Sequence, residues 1–139
     1  MNSHVDEPAD LLQPVRMHVD RAAIMAYADL TGDYNPIHVD ETFAASTAMG
    51  GVIAHGTLSL NLVWQALART LGPAAAEGAS LDVRFVRPVR QGTVVEAGGR
   101  RDPASPRRYD VWVRAVDGDV VIQGTLTLAG EDRGSPRHP

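Results

Sequence analysis

"TLSLNLVWQALARTL", residues 57–71, is apolar on nearly every side of a helical wheel, and its reading decides the fold. A surface helix carries one apolar stripe, so a helix this apolar is expected to be buried over most of its circumference. Gly72-Pro73 follows and stops it. Beyond Gly78 the period changes. "ASLDVRFVRPV" alternates Leu81, Val83 and Phe85 against Asp82, Arg84 and Val86, the pattern of a strand, with Pro88 implying an edge or bulge. "TVVEAGGRR" is a weaker strand signal, while "RRYDVWVRAV" and "DVVIQGTLTLA" are strong ones. Asp117-Gly118 between the last two predicts a two-residue hairpin turn. Upstream, Gln13–Val19 alternates and predicts a further strand of the same sheet. The arrangement expected is α+β: a curved antiparallel sheet wrapped around one long central helix over Thr57–Leu71. Such an open sheet leaves two edges, and a homodimer or higher homo-oligomer joined at an edge would cover one of them.

The remaining helices lie upstream. Asp20 suits an N-cap, with Ile24, Tyr27, Ala28 and Leu30 at helical spacing and Thr31-Gly32 as the stop. A short helix is expected over Glu41–Ala48, capped by Asp40, followed by the glycine-rich loop "MGGVIAHG". We assign 13–129 to one domain, with flexible segments at 1–12 and 130–139, whose composition is polar and rich in Pro and Gly.

Composition narrows the chemistry. The 139 residues suffice for one packed core, and 44% hydrophobic with 22% charged residues is ordinary for a globular chain. A formal charge of −4 gives no footprint for nucleic acid or an anionic membrane surface. Cysteine is absent, which excludes thiolate nucleophiles, disulfides and Cys-based zinc sites. All 13 basic residues are arginine, so Schiff-base, P-loop and Ser–Lys chemistry are excluded as well. The N-terminus does not read as a signal peptide, and no stretch approaches the roughly 20 apolar residues of a membrane span. A cytoplasmic protein is expected. No serine sits in a nucleophile-elbow context, no His-Glu-x-x-His helix is present, and Gly98-Gly99 does not precede a helix. Trp64 and Trp112 are read as core residues.

One window stands apart: "YADLTGDYNPIHVD", Tyr27–Asp40. Pro36 disfavours a helical Asn35 and fixes its own φ, so the segment turns and can bring Asp33 and His38 toward one point. Imidazole transfers protons near neutral pH, and a carboxylate can orient it or share the work. Asn35 can hold the turn through local backbone hydrogen bonds. The same residues also suit a plain helix terminator in which His38 caps or packs. Gly56, at the start of the apolar helix, offers an unpaired N–H at the positive end of the helix dipole, suited to a developing oxyanion. It equally suits a packing glycine at a tight turn. His55 is read as a structural histidine bonding the loop backbone.

The window resembles the signature of the (R)-specific enoyl-CoA hydratases, the MaoC-like hydratase/dehydratase family. The pattern is an aromatic residue, then Gly-Asp, then x-Asn-Pro-aliphatic-His-x-Asp, here Gly32, Asp33, Asn35, Pro36, Ile37, His38 and Asp40. "GGVIAHGTLSLNL" is similar to the start of that family's helix, and the layout matches over roughly residues 13–129, the strands in layout only. The resemblance implies a hot-dog fold, Asp33 and His38 as a catalytic dyad, and a Gly56 N–H on the thioester carbonyl, with Asn35, Pro36 and His55 in support. It implies reversible hydration of trans-2-enoyl thioesters to (R)-3-hydroxyacyl thioesters, with Asp33 the expected base and His38 the expected acid. Neither metal nor redox cofactor is required; CoA or a carrier protein's phosphopantetheine carries the acyl group, and arginines can meet its phosphates. The alternatives are dehydration of a 3-hydroxyacyl carrier protein in fatty-acid or polyketide synthesis, or addition of another nucleophile to the enoyl thioester. From other classes stand an acyl thioesterase and a non-catalytic acyl-thioester-binding subunit, against which the intact Asp33/His38 pair argues.

Overall fold

The structure, a computed structural model, describes residues 9–130. Positions 1–8 and 131–139 of the expected flexible ends lie outside the described residues. Strand β1 covers Leu11–Val19, helix α1 Arg21–Thr31, α2 Pro36–Val39, α3 Glu41–Ala45 and α4 Gly56–Leu71. Strands β2 (Ser80–Phe85), β3 (Thr93–Asp102), β4 (Ser105–Ala115) and β5 (Val120–Thr127) follow. They form one antiparallel sheet in the order β1-β3-β4-β5-β2. It curves around α4, the hot-dog arrangement expected.

Local chemistry sets the helix boundaries. The Asp20 carboxylate accepts from the Ala23 N–H at 2.9 Å and starts α1; Gly32 ends it at φ 74°, where a side chain would be strained. Asp40 caps α3 in the same way through the Phe43 N–H. α3 stops at Ala45, short of the expected Ala48, because the Ser46 and Thr47 hydroxyls turn back onto the Phe43 and Ala44 carbonyls.

α4 begins one residue before its expected start, but its burial differs from the sequence reading. Leu58, Leu62, Val63, Ala66 and Leu67 are buried and pack toward β1, β3 and β4. Thr57, Asn61, Gln65 and Arg69 form an exposed stripe at four-residue spacing. The sheet covers one side of the helix only, so its outer stripe meets solvent in the single chain.

Two strand-level details also depart from expectation. The β4–β5 hairpin is present, but its loop is the four residues 116–119, closed by the Ala115 N–H on the Asp119 carbonyl. Trp112 is only half-buried and faces outward over Gly98, beneath the Arg114 guanidinium at 5.4 Å, rather than lying in the core. Trp64 does pack against the core.

Gly124 marks the tightest point of the sheet. A Cβ there would lie 2.0 Å from the Asp82 carbonyl oxygen and 2.6 Å from Val83 Cα. Only glycine lets β2 press this close to β5.

Candidate active site

Three chain segments meet at the N-terminus of α4: the loop from α1 to α3, the stretch Ile53–Thr57, and the last residue of β2. The loop turns as its residues dictate. Asn35 is extended (φ −53°, ψ 131°), and its side chain accepts from the Ile37 N–H at 3.1 Å, capping the single turn that Pro36 opens. The Asp33 carboxylate accepts from the Asn35 N–H at 3.2 Å. This short turn replaces a helical continuation and brings Asp33 and His38 together.

The loop is fastened by hydrogen bonds to the stretch that leads into α4. The Ile53 N–H donates to the Ile37 carbonyl at 3.2 Å, while the Ile53 carbonyl accepts from His38 Nδ1 at 2.7 Å. His55 Nε2 reaches the Asp33 carbonyl at 2.9 Å. A carbonyl only accepts, so His38 carries its proton on Nδ1 and His55 on Nε2. For His38 this leaves Nε2 as the nitrogen available for chemistry. For His55, 4% exposed, the proton is committed to the loop backbone. His55 Nδ1 is buried without a hydrogen-bond partner, as is the Ser59 hydroxyl one turn along α4. These are an acceptor and a donor of matching sense.

The two imidazoles stack, centroids 4.0 Å apart and planes 26° from parallel. Tyr27 meets His55 edge-on at 5.0 Å and donates its hydroxyl proton to Thr57 Oγ1 at 2.6 Å. One ligand-type atom from each of Asp33, His38 and His55 falls within 4.8 Å of the others. A common metal ion would have to lie in both imidazole planes about 2.0–2.1 Å from each nitrogen. Planes stacked this nearly parallel do not meet at that distance, so the two imidazoles are not placed to share one ion.

Asp33 is exposed, His38 half-buried and His55 buried, a gradation from solvent to core. Together with Gly56, Thr57 and Phe85 they line a cleft of about 410 Å³. Gly56 is the first residue of α4, and its N–H has no acceptor within the helix. The larger hollows, 530 Å³ over the outer face of β2, β4 and β5 and 770 Å³ beside residues 87–94, contain no histidine. The sequence reading missed Phe85, Thr57 and Tyr27. Phe85 alternates with Leu81 and Val83 as a core residue would, but it is 53% exposed at the end of the edge strand, its ring against Gly56.

A curved five-stranded sheet holding one helix, with a carboxylate and an imidazole at that helix's N-terminus, defines a hot-dog protein equipped for acid–base chemistry. Residues 3–102 match the model of the MaoC like domain, and the chain belongs to that family. It is 35% identical over 122 residues to the 3-hydroxybutyryl-CoA dehydratase of Methylorubrum extorquens, covering 86% of this chain and 78% of the relative. It is 36% identical over 111 residues to the (R)-specific enoyl-CoA hydratase of Aeromonas caviae, covering 79% and 81%. Among solved structures, an unliganded R-hydratase of Pseudomonas aeruginosa superposes with a TM-score of 0.72 at 27% identity, covering 90% of this chain and 83% of that one. The protein is a hydro-lyase of the hydratase/dehydratase kind. No helix among the described residues is long and apolar enough to cross a membrane.

Proposed function

We propose that the protein adds water reversibly across trans-2-enoyl thioesters to give (R)-3-hydroxyacyl thioesters, carried on CoA or on phosphopantetheine. The observation that carries this reading is the convergence of the Asp33 carboxylate and the free His38 Nε2 beside the unpaired Gly56 N–H. The thioester carbonyl accepts from the Gly56 N–H, where an oxyanion donor is typically worth about 3–4 kcal/mol. Asp33 takes a proton from water as its oxygen bonds to the β-carbon. His38 enters this step with a second proton, on Nε2; electron density moves onto the carbonyl oxygen, and that proton passes to the α-carbon. The proton on Asp33 then returns to His38 Nε2, so both groups end the cycle as they began it. Dehydration retraces the same path. The site residues Asn35, Pro36 and His55 serve by holding loop and helix in register, and no further cofactor enters the cycle.

We place this activity in a homodimer. Among the described residues β2 has no partner on its outer side, and Phe85 and Val86 at its end are 53% and 46% exposed. A second copy laid along β2 would cover that edge and wall the cleft. Sedimentation at micromolar concentration tests this, with a species near the monomer mass of 14.9 kDa the contrary outcome. The activity is tested with crotonyl-CoA, following loss of enoyl absorbance and free thiol in parallel. Absorbance loss without thiol supports hydration. Thiol release marks a thioesterase, and neither signal leaves the dyad without its assigned reaction.

A further inference from the structure

Phe85 contributes the one hydrophobic side chain lining the candidate cleft among the described residues. Its Cδ1 and Cε1 both lie 3.0 Å from the position a Cβ on Gly56 would occupy. The ring therefore rests on the Cα of the residue whose N–H is the proposed oxyanion donor. Its backbone is fixed by pairing with Ile122, while the side chain is half exposed and makes a wall of the cleft rather than part of the core.

Resting on the function proposed above, we infer that Phe85 determines substrate specificity: its ring walls the side of the cleft beside Gly56 and excludes substituents at the α-carbon. A substituent on the α-carbon of a conjugated enoyl thioester lies in the conjugated plane and projects sideways from it. With its carbonyl oxygen on the Gly56 N–H, the substrate's α-carbon comes beside the ring that already fills the space next to Gly56. Substrates unbranched at the α-carbon fit; a methyl group there meets the ring. A single methyl group in or out of a shaped pocket typically changes kcat/KM by about 10- to 200-fold.

The test compares crotonyl-CoA with trans-2-methylbut-2-enoyl-CoA on the full-length wild type, Phe85→Ala and Phe85→Leu, with thermal denaturation to confirm folding. Wild type should favour crotonyl-CoA, and Phe85→Ala should lower that preference about tenfold or more, with Phe85→Leu between. Should Phe85→Ala fail to fold, Phe85→Leu decides. A steric cross-check uses Gly56→Ala, whose new methyl meets the ring: adding Phe85→Ala should recover crotonyl-CoA turnover relative to Gly56→Ala alone. A preference within twofold of wild type in the folded variants, or no recovery in the double variant, overturns the role of Phe85 while leaving hydration intact. Absence of turnover in wild type defeats the function itself, and the specificity role with it.

Discussion

His38→Asn separates what the histidine holds from what it transfers. The ring makes one hydrogen bond, Nδ1–H to the Ile53 carbonyl at 2.7 Å, and one stacking contact with His55 at 4.0 Å. Its Nε2 is the nitrogen left for chemistry. The asparagine amide nitrogen sits near the Nδ1 position and keeps the bond to Ile53, but nothing replaces Nε2. A general acid–base group typically contributes about 10²–10⁴-fold, equivalent to about 3–5 kcal/mol in the barrier. Stability should fall by only about 0.5–1 kcal/mol, because the hydrogen bond survives and the stack alone is weakened. His38→Ala loses the bond too, a further cost of about 1 kcal/mol with the same loss of rate. Crotonyl-CoA turnover and urea denaturation on the three proteins read both quantities. Near-normal turnover in folded His38→Asn would refute the assignment of proton transfer to this residue. Activity lost strictly in proportion to unfolded protein would return His38 to a packing role.

Asp33→Asn should cut turnover by a similar factor, and Asp33→Asn with His38→Asn should cost little more than the worse single change, since the two act as a unit; a product of the single effects argues against a shared step. Asn35→Ala removes the cap on the Pro36 turn and should lower stability by about 1 kcal/mol, with a partial fall in rate, in thermal denaturation and steady-state assays. Gly124→Ala drives a methyl into the β2 backbone at 2.0 Å, which only separation of β2 from β5 relieves; it should cost more than about 4 kcal/mol in denaturant, and wild-type stability would contradict the close strand approach. Burial raises the Tyr109 phenol above its ordinary pKa, opposed by the Arg101 charge and assisted by Asp10. The folded state thus holds that proton longer than the unfolded one, so the tyrosine's contribution is intact below the unfolded pKa, about 10, and is lost as pH rises through the folded value. Tyr109→Phe should flatten that alkaline decline in a pH series of denaturation midpoints.

The elements that could be read from the sequence are those whose signal is local. Alternation over residues 107–116 and 119–129 needs no distant partner to mean strand, and Asp20, Asp40 and Gly32 cap helices through their own neighbours. The burial of α4 was misjudged although its exposed stripe is written in the chain: Thr57, Asn61, Gln65 and Arg69 recur every four residues among strongly apolar neighbours. The turn bringing Asp33 toward His38 follows from Pro36 and Asn35. The stack of His38 on His55 does not, because it depends on Ile53 pairing with both Ile37 and Arg90, contacts across 16 and 37 positions. Phe85 was hidden for a different reason. Strand periodicity assigns a face, but it does not say that the last residue of an edge strand lies past the core and against a glycine on another element.

That division of labour has a physical logic. Asp33 and His38 sit on a loop, ordinarily the most mobile part of a fold, yet this loop is tied to Ile53 and His55, just ahead of α4, by three hydrogen bonds and a stacked pair of rings. Each bond also fixes a tautomer or a backbone direction, so the loop cannot shift without breaking the arrangement that performs the chemistry. Phe85 belongs to neither segment and reaches the cleft from a strand that, among the described residues, is paired only with β5. In the proposed reaction, proton transfer is thereby anchored beside the central helix, while the surface proposed to meet the acyl group rides on the strand that a second subunit would pair with. Substitutions along the outer side of β2 that weaken self-association should accordingly change acyl selectivity before they change the pH dependence of turnover.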